Sequence, residues 1–261
     1  EQTIFHTDID PNSIGKVYST ELGLVGDIKQ TLSKILEKNI ELTPNWREWA
    51  KERNKVYRDL TKIEPSENDY VDNKQIIRHL QETVSEQTIF TNDAGNFSAW
   101  FQSFYQFKHP DTYIGPTSGA MGYGLPSALG AKLAKTNSPV ITLAGDGGFM
   151  MTMQELETAV RENIPVICLI FNNGMYGTIR MHQEKHYPNN VIGTTLETVP
   201  FHKVAQQLNI KSFKIEKDHE FKNVLEEALS LDEPVVIEIM NDKNQVSVKA
   251  TIEDLRKIRG D

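Results

Sequence analysis

Residues 140–173 constrain the fold of this 261-residue chain more than any other stretch. They read as a strand over Val140–Ala144, a glycine-rich turn over Gly145–Gly148, a helix over Met151–Asn163 and a second strand over Val166–Phe171. Apolar residues recur at helical spacing in the helix, whereas the two strand runs are short and continuous. Such a unit is parallel and brings the carboxyl ends of its strands side by side. The prediction is an α/β fold with a doubly wound parallel sheet and helices on both faces.

Polar residues follow both of these strands. Asp146 follows the first and Asn173 follows the second, so both are expected at the same edge of the sheet. A carboxylate and an amide oxygen are hard donors that suit Mg²⁺ or Ca²⁺. The amides of Gly145–Gly148, next to the start of a helix, suit phosphate oxygens. The pattern therefore predicts a site for a metal-bridged diphosphate.

Other nucleotide and metal motifs do not fit the residues. In a dinucleotide-binding G-x-G-x-x-G turn the third glycine would be Met150, and the next strand ends in Asn172-Asn173 instead of an acid for ribose. No G-x-x-x-x-G-K-[ST] sequence occurs. His182 and His186 have the spacing of a zinc helix, but the glutamate of HQEKH matches neither known zinc motif. We therefore predict no zinc site.

Charge and composition limit the partners. A formal net charge of −8 argues against a nucleic-acid partner and against an anionic membrane surface. No apolar run is long enough to span a membrane, and no secretory signal is visible. The single cysteine, Cys168, lies in a predicted strand, so we expect a small buried core residue in a cytoplasmic protein.

Two further glycine-containing loops precede helices. Asn92–Phe97 follows a predicted strand at Thr88–Thr91 and leads into a helix over Phe97–Phe107. A loop between a strand end and a helix start is a second candidate site for binding an anion. Gly115–Lys132 places four glycines in or just before the start of a helix. Glycines permit the close backbone approach that a flat aromatic ring needs.

These segments together resemble the thiamine diphosphate enzymes. The signature is GDG at residues 145–147 followed by NN at residues 172–173, and GPTSGAMGYGLPSALGAK is similar to the G-x-MG-G-P-A-GA segment of the family. DIDP, IG and VGD near the amino end resemble the end of the central domain in the acetolactate synthase, pyruvate oxidase and benzoylformate decarboxylase superfamily. The resemblance implies thiamine diphosphate and Mg²⁺ as cofactors, and it leaves open whether the intact protein also binds FAD.

We expect the chain to hold one domain and a fragment of another. A strand at Thr3–Asp8 and a helix at Asp27–Leu36, capped by Asp27, need neighbours that would precede residue 1. A surface helix follows at Pro44–Thr61. The predicted boundaries are 1–40 for the end of a central α/β domain, 41–69 for a helical linker, 70–241 for the diphosphate-binding domain and 242–261 for a polar tail or lid.

The resemblance assigns roles to individual residues. It implies Asp146, Asn173 and the Met175 carbonyl as metal ligands. It also implies that Gly119 offers a carbonyl to the aminopyrimidine and that Met121 is the apolar wedge that bends the cofactor. The other implied cofactor-binding residues are Gly95, Asn96, Phe97, Gly145, Gly147, Gly148 and Tyr176. No catalytic residue is assigned, although Arg180 and His182 are candidates for contact with a substrate carboxylate.

The implied reaction is decarboxylation of a small 2-oxo acid. In the family, the glutamate that activates the cofactor lies in an amino-terminal pyrimidine-binding domain, usually of a partner subunit, which these 261 residues do not contain. The resemblance thus implies a homodimer or homotetramer with a shared active site, and an isolated chain that is inactive.

Three hypotheses remain open. The first is an acetolactate synthase-like carboligase of branched-chain amino acid biosynthesis. The second is a 2-oxo acid decarboxylase or oxidase, because NNGMYGTIRMHQE departs from the NN-x-x-x-GMV-x-QWQ pattern of acetolactate synthases and places His182 at the tryptophan. The third is a non-catalytic module that uses the fold for binding or assembly.

Overall fold

The computed structural model describes residues 2–38, 44–197 and 199–257. The chain divides into two compact units, Glu1–Asp59 and Leu60–Asp261. The division lies inside the segment 41–69 that the sequence predicts to be a linker. Among the described residues, no helix combines the length and the apolar content that a membrane crossing requires.

The first unit contains a parallel pair of strands and helical segments. Strand β1 (Phe5–Asp8) lies within the predicted strand Thr3–Asp8. It pairs with β2 (Leu22–Val25), a strand that was not predicted from the sequence. Gly23 interrupts the apolar run of β2, and the structure needs a glycine there because a Cβ atom would lie 2.5 Å from Cγ2 of Ile14. Helix α1 (Ile28–Glu37) begins after Asp27, whose carboxylate accepts the Gln30 amide at 2.9 Å as the predicted N-cap. Helix α2 (Arg47–Thr61) contains the division between the units.

The second unit is built on a parallel sheet of six strands, which confirms the predicted fold class. The strands are β3 (Ile89–Asn92), β4 (Tyr113–Ile114), β5 (Val140–Gly145), β6 (Ile167–Asn172), β7 (Lys211–Ile215) and β8 (Val235–Met240). Their order across the sheet is β4-β3-β5-β6-β8-β7, with every neighbouring pair parallel. The chain moves outward from β3 to β4 and then returns to the other side of β3. The topological switch point therefore lies between β3 and β5, where such folds bind ligands.

The second unit contains helices that cover both faces of the sheet, together with two helices that pack against each other. They are α3 (Asn73–Thr83), α4 (Ser98–Phe104), α5 (Gly124–Ala134), α6 (Asp146–Thr152), α7 (Glu155–Arg161), α8 (Gly177–His186), α9 (Phe201–Gln207), α10 (Phe221–Leu229) and α11 (Ile252–Lys257). Apolar residues of α3, α4 and α10 pack on one face, and those of α5, α6, α7 and α9 pack on the other. Helices α8 and α11 are the two that pack against each other. Cys168 belongs to the second cluster and is fully buried, as predicted, and burial raises the pKa of its thiol to about 12.

The glycine-rich turn after β5 differs from the prediction. The predicted helix over Met151–Asn163 is two short helices, and the first of them, α6, begins at Asp146 itself. Two glycines lower helix propensity, so the sequence pattern favoured a turn. Tertiary packing overrides this preference, and the glycines form the first turn of α6.

Candidate cofactor and metal site

A cleft lies at the carboxyl edge of the sheet, where β3, β5 and β6 end. It contains about 660 Å³ of free space, counting its opening to solvent. The predicted cofactor-binding residues that line it are Gly95, Asn96, Phe97, Met121, Gly145, Asp146, Gly147, Gly148, Asn173, Met175 and Tyr176. Gly119 is not among the lining residues. The order of the strands thus brings the three predicted loops around one space.

The predicted metal ligands lie together in this cleft. Oδ1 of Asp146 accepts the Gly147 amide at 2.8 Å, and Oδ2 accepts the Gly174 amide at 2.7 Å. Oδ1 of Asn173 accepts the Met175 amide at 3.2 Å. Burial raises the pKa of Asp146, and the surrounding backbone amides oppose that rise. A bound divalent cation would also favour the charged carboxylate.

The donor set fits magnesium. One carboxylate, one amide oxygen and one backbone carbonyl are hard oxygen donors, and Mg²⁺ typically completes its coordination with water and substrate phosphates. Within residues 2–38, 44–197 and 199–257, no group of three or more His, Cys, Asp or Glu side chains could hold a metal ion. The described part of the chain therefore offers no competing site of the carboxylate-rich or histidine-rich kind.

The glycines of the cleft are required by close packing between loops. A Cβ atom at Gly147 would lie 2.6 Å from Cε1 of Tyr176, and one at Gly148 would lie 2.6 Å from Oδ2 of Asp93. A Cβ atom at Gly95 would lie 2.8 Å from the Phe97 ring. A larger residue at Gly147 or Gly148 would push two loops apart, and one at Gly95 would displace the Phe97 ring of the same loop. The glycines therefore leave bare backbone at the cleft, which suits a diphosphate held by amides.

Asp93 organises the loops, a role that the sequence analysis missed. Its buried carboxylate accepts the amide of Ala94 at 2.7 Å and that of Gly122 at 2.8 Å. Burial raises the pKa of Asp93, while these amides oppose the rise. Asp93 thus joins the loop after β3 to the segment that leads into α5. Its place directly after a buried strand is the only sequence signal that points to it.

Asn96 bridges two walls of the cleft. Its Nδ2 donates to the Val246 carbonyl at 2.6 Å, and its Oδ1 accepts the Thr178 hydroxyl at 2.9 Å. Nδ2 also lies 3.6 Å from the sulfur of Met181. The amide group of Asn96 is therefore bonded within the protein, although the residue lines the cleft.

The segment after β8 forms a wall of the cleft that the sequence did not predict. Gln245 and Val246 line the space, and Val246 is 1% exposed. Val246, Ile252 and Leu255 form an apolar cluster with Met175. Residues 242–257, which lie in the predicted polar tail or lid, thus pack against the turn that carries a predicted metal ligand, and residues 258–261 are outside the described part.

A buried carboxylate fastens this segment to α8. Glu184 is fully buried and accepts Nε of Arg180 at 2.9 Å and Nη2 of Arg256 at 2.7 Å. The hydrogen bond from Arg256 is the main reason that the pKa of Glu184 is lowered to about 2. Arg180, which was a candidate for contact with substrate, thus forms an ion pair with Glu184. Neither Arg180 nor the exposed His182 lines the cleft.

The charges around the cleft are few. Among the described residues that line it, the titratable side chains are those of Asp146 and Tyr176, and none is a lysine, arginine or histidine. An anionic group would therefore be neutralised by backbone amides and a cation. Helix α8 begins at the cleft with Gly177, Thr178 and Ile179, and first-turn amides have no acceptor within their own helix.

Known proteins share this site-bearing region. Residues 93–239 match the family described as "Thiamine pyrophosphate enzyme, C-terminal TPP binding domain". The chain is 34% identical over 254 residues to a probable acetolactate synthase large subunit of Methanocaldococcus jannaschii, covering 93% of this chain and 42% of that protein. It is 31% identical over 248 residues to the acetolactate synthase large subunit of Lactococcus lactis subsp. lactis, covering 93% and 42%. It is 32% identical over 238 residues to the pyruvate oxidase of Lactiplantibacillus plantarum, covering 88% and 39%.

These relatives are longer proteins, and the chain spans about two fifths of their length. The family match begins at Asp93 and ends in β8. It therefore includes all three loops at the carboxyl edge of the sheet, with Asp146, Asn173 and Met175. The chain belongs to the thiamine pyrophosphate enzyme family, of which it carries the C-terminal TPP-binding domain.

Proposed function

We propose that this chain is the diphosphate- and metal-binding part of a thiamine diphosphate- and Mg²⁺-dependent enzyme that acts on a 2-oxo acid. The favoured reaction is that of an acetolactate synthase-like carboligase. Such an enzyme releases carbon dioxide from pyruvate and joins the remaining two-carbon unit to the carbonyl carbon of a second compound. The names of the M. jannaschii and L. lactis relatives support this choice.

The observation that carries the proposal is the convergence of Asp146, Asn173 and Met175 in one cleft. In the proposed enzyme these residues hold Mg²⁺, while the loops around Gly95 and Gly147 hold the diphosphate oxygens through backbone amides. The bound cofactor supplies the carbanion chemistry, and the protein supplies position and electrostatics.

Two residues are assigned to the organic part of the cofactor. Met121 lies at the rim of the cleft and is 36% exposed, so its flexible side chain is available as the apolar wedge. Gly119 has a φ of +69°, a conformation that glycine adopts without strain, and no atom lies within 4 Å of its missing Cβ. We assign its carbonyl to the aminopyrimidine.

The acid–base groups of the reaction are assigned to another domain. The lining residues of the described chain include no glutamate or histidine, so the cleft has few groups that could move protons. We infer that the isolated chain is inactive and that the active enzyme is a cytoplasmic homodimer or homotetramer with a shared site.

A 2-oxo acid decarboxylase or oxidase is the second candidate. The pyruvate oxidase of L. plantarum is as similar to this chain as the synthases are. His182 also stands where acetolactate synthases have a tryptophan. FAD in the purified intact protein would support a synthase or an oxidase over a simple decarboxylase.

Product analysis by NMR tests the proposal. The intact protein is incubated in air with pyruvate, inorganic phosphate, thiamine diphosphate, Mg²⁺ and FAD, and acetolactate is the expected product. Acetaldehyde without acetolactate would replace the carboligase by a decarboxylase, and acetyl phosphate or acetate would indicate an oxidase. If the intact protein binds no thiamine diphosphate, the third hypothesis, a non-catalytic module, is the correct one.

A further inference from the structure

Glu238 is a buried carboxylate in the apolar interior. It lies in β8, and its side chain is 1% exposed. Alternation along the strand places it on the same face of the sheet as Val236, which packs with Cys168 and Ile170. Burying a carboxylate costs several kcal/mol unless its oxygens are well bonded. Its partners therefore indicate what it does.

The carboxylate joins two elements of the fold. Oε1 accepts Nδ2 of Asn172 at 2.7 Å. Oε2 accepts the backbone N–H of His202 at 3.1 Å and also bonds to Nδ1 of the same residue. Asn172 is the last residue of β6, and His202 is the second residue of α9. Glu238 thus ties the end of β6 to the start of α9.

Asn172 leads directly to the metal turn. Its Oδ1 accepts the Gly174 amide at 3.2 Å, and the same amide donates to Oδ2 of Asp146 at 2.7 Å. Gly174 has a φ of +65° and separates the predicted ligands Asn173 and Met175. The position of the Asn172 amide group therefore influences the turn between these two ligands.

The chain before His202 supports the other side of the same turn. Nδ2 of Asn172 donates a second hydrogen bond to the Val199 carbonyl at 3.1 Å. Earlier in the chain, the Leu196 amide donates to the Gly174 carbonyl at 2.8 Å, and the Tyr176 amide donates to the Thr194 carbonyl at 2.9 Å. Glu238 thus bonds directly to Asn172, which contacts the turn, and to His202, which lies in the first turn of the helix that follows the Val199 carbonyl.

We propose that Glu238 is a positioning residue for the metal ion. It does not line the cleft, and it acts through Asn172, whose Oδ1 accepts the Gly174 amide in the turn that offers Asn173 and Met175 to the cation. The inference rests on the proposed function because it requires Mg²⁺ at this turn. Residues that support metal ligands typically change metal affinity by about 10–100-fold when removed.

The test is a titration of the intact protein with Mg²⁺ at saturating thiamine diphosphate. Binding is followed by tryptophan fluorescence, because Trp100 lines the cleft and is 4% exposed. Glu238→Leu removes the acceptor and is expected to raise the half-saturating Mg²⁺ concentration by about tenfold or more. Glu238→Gln keeps an oxygen for Asn172 but places its NH2 group against the His202 N–H, so it should lower stability while the half-saturating Mg²⁺ concentration stays within about threefold of the wild type. Glu227→Leu, at an exposed glutamate of α10, is the matched control and should show no change.

A second variant keeps the test decisive if Glu238→Leu does not fold. Asn172→Ala removes the side chain that connects Glu238 to the Gly174 amide but leaves the contact between Glu238 and His202. It should raise the half-saturating Mg²⁺ concentration by a similar factor. When both variants fold, the double variant Glu238→Leu/Asn172→Ala should show a less than additive change in Mg²⁺ half-saturation, because both substitutions break the same hydrogen bond.

The outcomes separate this inference from the proposed function. Unchanged Mg²⁺ half-saturation in both variants, with only a lower unfolding midpoint, would show that Glu238 is merely structural, while the proposed function would stand. Wild-type protein that binds thiamine diphosphate without any Mg²⁺ dependence, or does not bind it, would overturn the proposed function and this inference with it.

Discussion

Two walls of the cleft differ in how they are built. The front wall consists of the loops after β3, β5 and β6, whose glycines, Asp146 and Asn173 form a recognisable pattern. The rear wall is the segment after β8, where Val246 is held by Asn96 and Arg256 is held by Glu184. The front wall carries the chemistry in short local motifs. The rear wall holds its position through contacts between distant residues, and its sequence resembles an ordinary polar tail.

This difference predicts that substitution of a metal ligand in the front wall abolishes ligand binding, whereas substitutions in the rear wall weaken it. Asp146→Asn gives the largest expected effect, because it removes the one carboxylate from the metal donor set. We expect Mg²⁺-dependent binding of thiamine diphosphate to fall by about 100-fold or more. Asp232→Asn, at an exposed position before β8, is the control and should bind normally. Normal Mg²⁺ dependence in Asp146→Asn would place the metal elsewhere.

Glu184→Gln tests the rear wall and has a distinctive pH dependence. The pKa of Glu184 falls from 4.5 to about 2 on folding, which corresponds to about 3 kcal/mol of stability when the group is fully charged. Because the pKa in the folded protein is lowered, this contribution is complete above about pH 4.5 and is lost as the pH falls towards 2.

Urea unfolding of the wild type and of Glu184→Gln at several pH values measures this contribution. The wild type should be more stable by about 3 kcal/mol at pH 7, and the difference should shrink steadily below about pH 4.5. Affinity for thiamine diphosphate should fall by less than it does in Asp146→Asn. A stability difference that is independent of pH would mean that the charge of Glu184 does not hold Arg256 in place.

Gly148→Ala tests how tightly the front wall is packed. The new methyl group would lie 2.6 Å from the Asp93 carboxylate, which in turn holds the Gly122 amide. We expect a loss of about 2 kcal/mol, measured by thermal unfolding. Gly130→Ala is the matched control, because no atom lies within 4 Å of its Cβ position in helix α5. It should raise stability by up to about 1 kcal/mol, and equal losses in both variants would contradict the packing argument.

The same contrast explains which parts of the fold could be predicted from the sequence. Strands β5 and β6 lie within one residue of the boundaries that the sequence predicts, because continuous apolar runs are local signals. Strand β4 has only two residues and gives no periodic pattern, so it was not predicted. Helix α6 begins at Asp146 against the propensity of its glycines, because Tyr176 and Asp93 pack where side chains would otherwise project.

The candidate site divides in the same way. The strand order brings Asp146 and Asn173 together, and the sequence could predict this from the spacing of two motifs. The partners of Glu184 and Asn96 could not be predicted, since 72 residues separate Glu184 from Arg256 and 150 separate Asn96 from Val246. Hydrogen bonds between residues so far apart in the sequence produce no local pattern that a single sequence could reveal.

Asn96→Ala has the smallest expected effect. Asn96 belongs to the front wall, but its side chain bonds to the rear wall. Its side-chain amide is engaged by the Val246 carbonyl and the Thr178 hydroxyl, so its loss should cost about 1 kcal/mol of stability. Affinity for thiamine diphosphate should fall only by about fivefold, roughly the same energy expressed in binding. Combined with Glu184→Gln, the loss should be less than additive, because both residues hold the same segment. A 100-fold loss of affinity at unchanged stability would instead make Asn96 a direct ligand of the diphosphate, and the bond to Val246 would then be incidental to its role.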